Sequence, residues 1–226
     1  MRGFRALTVG LALTLQACSS GQSSMPGVLA YQNDGTFRKT SVPGVFSAQP
    51  DGSVLHIQSG FVCPAAFPNA SLSNLQSFPS DAGVGTDVGC DYARAGAASG
   101  KIEAKFTIFL VKAREGATLE KVFDNYLSEM HGAHQPEKVG GDVIRISGEA
   151  ASKYPPMKSE EDDITLNGRK YKDELVVGIV NGWVVELRST YPAEFSLDDP
   201  AAAKDIAASV FIWATTVGAF VDNPKK

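Results

Sequence analysis

The chain has no run of lysine and arginine, no apolar stretch of the ~20 residues that a membrane-crossing helix needs, and only three cysteines, Cys18, Cys63 and Cys90. Each absence excludes something. Without a basic stripe a protein cannot displace the counterions of DNA or RNA, so no nucleic-acid partner is expected; Lys225 and Lys226 are too few to change that. The C-terminal uncharged run, residues 206–221, is sixteen residues long and carries Ser209, Thr215 and Thr216, so it reads as a helix packed on a sheet. Neither G-x-S-x-G, H-E-x-x-H nor C-x-x-C occurs. The glycine-rich segments at residues 83–89 and 96–101 have the wrong spacing to cradle a phosphate.

What is present begins at the N-terminus. Arg2 and Arg5 precede an uncharged run, residues 6–15. As a helix it would extend only ~15 Å against a hydrocarbon core of ~30 Å, so it reads as an export signal. Leu15-Gln16-Ala17-Cys18 then resembles the lipobox of bacterial lipoproteins, with Gln16 where that family usually has a small or β-branched residue. The resemblance implies cleavage after residue 17, a diacylglyceryl group on the Cys18 sulfur and an acylated amino terminus. Two or more acyl chains anchor a protein stably, so the lipid bilayer is the expected partner. Ser19 in place of aspartate implies, by analogy with enteric Gram-negative lipoproteins, an outer-membrane location facing the periplasm. Residues 18–27 read as the lipidated cysteine and a flexible tether, "SSGQSSMPG" reaching only ~15 to 18 Å.

Loss of residues 1–17 removes two arginines and no acid, so the formal net charge moves from −4 to −6. Residues 28–226 suffice for one globular domain. In an oxidising compartment Cys63 and Cys90 are expected to pair; two buried free thiols are the alternative. The bridge would close a 27-residue loop and stabilise the fold by ~3 to 4 kcal/mol. Pro64, Pro68, Pro79, Gly83, Gly85 and Gly89 make that loop read as turns and extended chain.

Further along, "KIEAKFTIFLVK" at residues 101–112 alternates strictly: Ile102, Ala104, Phe106, Ile108 and Leu110 face one side and the polar residues the other, with Phe109 and Val111 covering the second half. Residues 118–131 change to helical period, with Thr118 as N-cap and Gly132 as the stop. A strand is expected over residues 142–149, and "YPPMKSEEDD" reads as a solvated loop whose acids lack calcium-loop spacing. Asn167-Gly168 and Asn181-Gly182 then signal two tight hairpins and a three-stranded meander. The second turn would pair Val180 with Trp183, Gly178 with Val185 and Val176 with Leu187 on a core face, and Val177 with Glu186 and Leu175 with Arg188 on the other. Asp199 and Pro200 would open a closing helix to about Phe220.

The order strand, helix, strand, long loop, hairpin strands and closing helix, carried by "GDVIRISGEA" and "ELVVGIVNGWVVELRSTYPAEFSLDDPAAAKDIAASVFIWA", resembles the PsbP-like fold, which includes the DcrB-like lipoproteins. The resemblance spans about residues 52–220. It implies an α+β domain, an antiparallel sheet flanked by two helices, in a family that mostly binds or assists.

His131 and His134, with Glu129 and Glu137 nearby, are the candidate metal ligands, because imidazole and carboxylate suit zinc or copper. The simpler reading places both at a helix end, where histidine complements the dipole, so no cofactor is expected. His56 lies on an expected strand with no partner identifiable along the chain. The function expected is a non-catalytic envelope lipoprotein binding a partner protein or small ligand; an envelope enzyme with a non-sequential site and a metal-binding lipoprotein are the alternatives.

Overall fold

The computed structural model describes residues 29–30, 44–67, 70–95, 102–137, 139–140 and 154–194, together with Trp213, Thr216, Val217 and Phe220. Cys18, the tether and the strand expected over residues 142–149 lie outside these residues. The described strands are β1 (Leu29–Ala30), β2 (Phe46–Ala48), β3 (Val54–His56), β4 (Val62–Cys63), β5 (Ala66–Phe67), β6 (Ala70–Ser77), β7 (Asp87–Ala95), β8 (Ile102–Lys112), β9 (Met157–Leu166), β10 (Arg169–Val180) and β11 (Trp183–Pro192). The helix α1 (Leu119–His134) falls between β8 and β9. The large sheet runs β1-β6-β7-β8-β11-β10-β9 with β5 paired to β6, and a second sheet runs β2-β3-β4.

This architecture corrects the expected α+β fold with two flanking helices. The described residues are mainly β, because residues 44–95 build six of the strands. The prolines and glycines there sit largely between short strands rather than spreading through an open loop, which is where residues without a free N–H or with unusual φ are tolerated. Of the expected closing helix only the four described positions can be placed. They are helical, and Trp213, Val217 and Phe220 are buried in the main core. Among the described residues no helix is long and apolar enough to cross a membrane.

The meander β9-β10-β11 follows from its turns. Asn167 and Gly168 have φ of 52° and 79°, Asn181 and Gly182 of 49° and 75°. Two consecutive positive φ values match the right-handed twist of the flanking strands, and Asn-Gly adopts them at the lowest steric cost. The β10–β11 register is the expected one, Val180 opposite Trp183 through Leu175 opposite Arg188. β8 also alternates as expected, with Ala104, Phe106, Ile108 and Leu110 buried.

The two faces of the sheet have different covers. Leu75, Cys90, Ile108, Leu187 and Val176 form one row across five strands, packed with Val54 and Phe61 of the small-sheet region and with Trp213, Val217 and Phe220. The Cys63–Cys90 disulfide, with Cα atoms 6.4 Å apart, joins β4 of the small sheet to β7 of the large one. On the opposite face Phe123 and Met130 of α1 pack on Leu175, Val177 and Val184.

Gly178 marks where the backbone must stay bare. A Cβ there would stand 2.9 Å and 3.1 Å from Cζ2 and Cη2 of the Trp213 ring. Gly178→Ala is expected to lower stability by ~1 to 3 kcal/mol through overpacking, read as a lower urea midpoint; an unchanged midpoint would show that the ring moves aside freely.

Candidate functional site

The helix sets up the site by running further than its sequence suggests. Thr118 caps it, its hydroxyl accepting from the Lys121 N–H. Gly132 does not stop it. The helix continues to His134, and Gln135 takes the left-handed cap with φ 49° and donates its N–H to the His131 carbonyl. A mid-helix glycine costs about 1 kcal/mol, an amount that contacts made by the final turn can offset. Those contacts are His131 and His134, three residues apart on one face above β9 and β10.

The acidic stretch expected as a solvated loop is β9. Strand alternation divides its acids between the two faces. Glu161 and Asp163 lie opposite Glu174 and Lys172 on one side, where Lys172 Nζ bridges them at 3.1 and 2.7 Å and Tyr191 Oη donates to Glu161 at 2.5 Å. Burial pulls the Lys172 ammonium down, but the hydrogen bonds and charges of Asp163 and Glu161 outweigh it and leave the group raised. Glu160 and Asp162 face α1, opposite Leu175 and Asp173.

The histidines therefore meet carboxylates distant in the chain. His134 Nδ1 lies 2.5 Å from Asp173 Oδ2, and Asp173 Oδ1 accepts from Thr190 Oγ1 at 2.8 Å. His131 Nε2 lies 2.8 Å from Asp162 Oδ2, while Asp162 Oδ1 accepts from the Gly140 N–H at 3.0 Å. The two pairs are not equivalent. His134 and Asp173 are hydrogen-bonded, whereas His131 Nε2 and Asp162 Oδ2 are close without making a hydrogen bond, and both atoms are buried. Ligand atoms of His131, Glu160 and Asp162 all lie within 4.8 Å of one another. Burial raises the Glu160 carboxyl above its ordinary value, and the Asp162 carboxylate adds to the rise against the opposing charges of His131 and Lys158.

Glu129 and Glu137, the carboxylates nearest in sequence, are engaged elsewhere: Glu129 lies 3.4 Å from Arg188, and Glu137 pairs with Lys170. The signal for the true partners was available. Counting outward from Asn167-Gly168 through the acidic run, as for the other hairpin, places Asp162 opposite Asp173 and Glu160 opposite Leu175.

His56 is a core residue. It is 0% exposed, Nε2 donates to the Gly85 carbonyl at 2.9 Å, Nδ1 meets Ser59 Oγ at 2.7 Å, and the ring stands edge-on to Trp183. A histidine beside a serine hydroxyl can serve nucleophilic catalysis, but here both are buried and pin the turn before β7 to the small sheet. A separate cavity of about 400 Å³ lies between α1 and the end of β8, lined by Lys112, Arg114, Lys121, Tyr126 and Glu129 among others; the histidines do not border it.

Compared with known proteins, the chain matches no family model and no curated protein.

Proposed function

We propose that the chain is an exported protein, anchored by acyl chains on Cys18, that holds a non-catalytic binding domain at the membrane surface to engage a partner protein or small ligand. The observation that carries this is Leu15-Gln16-Ala17-Cys18 placed directly after an uncharged run too short to span a bilayer. The buried Cys63–Cys90 bond supports export, because such bonds persist in oxidising compartments and are rare in the cytosol. Ser19 favours an outer-membrane address facing the periplasm.

Metabolic labelling with a palmitate analogue tests the anchor. The native chain is expected to take up label and sediment with membranes, and Cys18→Ala to lose the label and leave the membrane fraction. Equal labelling of the two chains would remove the anchor and the surface-bound role with it.

A further inference from the structure

We propose that His131, Glu160 and Asp162 form a binding site for a divalent first-row transition ion, with zinc as the probe that fits the donor set. This inference stands on the folded domain and is independent of the lipid anchor.

The contact between His131 Nε2 and Asp162 Oδ2 carries it. At 2.8 Å the two atoms are near enough to hydrogen-bond, yet neither makes one. Short range without a hydrogen bond is the relation expected of two ligands whose lone pairs converge on a common point instead of on each other. The buried member makes the case stronger: Asp162 is 1% exposed, and a carboxylate oxygen sealed from water without a hydrogen bond is costly unless a cation meets it. Glu160, two residues along the same face of β9, brings a third ligand atom into the 4.8 Å group.

Charge points the same way. Asp162 and Asp173 lie directly opposite each other in the β9–β10 register, both at 3% exposure or less, with Glu160 beside them. A doubly charged cation between His131, Glu160 and Asp162 would balance two of the three carboxylates, leaving Asp173 to its contacts with His134 and Thr190. One imidazole nitrogen with two carboxylate oxygens suits zinc and its neighbours; an all-oxygen set would favour calcium or magnesium, and thiolates copper(I). The ligands sit on a helix end and a sheet strand, and the Gly140 N–H orients Asp162 as outer-shell donors orient metal carboxylates.

The test is a titration of chelator-treated, full-length protein in detergent with zinc alone, followed by calorimetry and by the histidine ring resonances. One equivalent is expected to bind and to shift the His131 ring before that of His134. His131→Gln and Asp162→Asn are expected to weaken binding at least tenfold, and His134→Gln to leave it within a few-fold of wild type. The ring resonances need no variant, so a substitution that unfolds the protein does not decide the outcome. Absence of binding would overturn the site, and so would binding that shifts His134 first or is lost equally in His134→Gln.

Discussion

Removing the Cys63–Cys90 bond is expected to lower the unfolding free energy by about 3 to 4 kcal/mol, the loop-closure value for the 27-residue separation of the two cysteines. For a domain whose total stability is of order 5 to 15 kcal/mol, that is a large part of the whole. The structure says where the loss falls. Both half-cystines are 0% exposed, and the bond ties β4 to β7. The sheet it secures has strands of only three, three and two residues, too short to stand alone. Urea titrations with and without reductant measure the total, and amide exchange resolves its location. Residues 44–63 are expected to lose protection before β8, β10 and β11 do. Coincident titration curves would show that the bond closes a loop already held by packing.

Stability is expected to fall by about 3 kcal/mol as pH rises from 4.5 to above 7, and Glu186 is the main reason. Its side chain is buried under α1, and burial pushes its carboxyl from 4.5 up to about 7, against the opposing pull of Arg188 beside it. Glu129 of α1 and Asp87 of β7 add to the rise, and Tyr126 packs nearby. Because the folded state holds the proton more tightly than the unfolded one, this contribution is fully present below pH 4.5 and is lost as pH climbs through about 7. Burial also raises Asp87, so it works in the same direction. Glu186→Gln removes the ionisation while keeping an oxygen for the Arg188 guanidinium, which bonds Glu186 through Nε. Urea titrations from pH 5 to 8 are expected to show the variant gaining on wild type as pH rises, by up to about 3 kcal/mol at the alkaline end. Parallel curves for the two proteins would refute the assignment.

The same residue illustrates how sequence and structure divide the explanation. The pairing of Glu186 with Val177 follows from counting back from Asn181-Gly182, and it holds. That its face would be roofed by α1 does not follow from that count. The helix packs there because Phe123 and Met130 meet Leu175, Val177 and Val184, residues of the β10–β11 hairpin that lie far from the helix in the chain.

What residue order determined alone was local: the alternation of β8, the Thr118 cap, the type of both hairpin turns and the β10–β11 register. In each, a dihedral preference or a period of two or 3.6 acts over a few residues and needs no distant partner. The Cys63–Cys90 pairing was also legible, because few thiols remain once Cys18 is set aside. Tertiary structure alone decided how the strands of residues 44–95 divide between two sheets, that an acidic, proline-led segment becomes β9, and that α1 passes Gly132 to bring His131 and His134 onto Asp162 and Asp173. These outcomes depend on sheet pairing and on charges brought together from residues tens of positions apart. The energy that overrides local propensity there comes from contacts that exist only once the chain has folded.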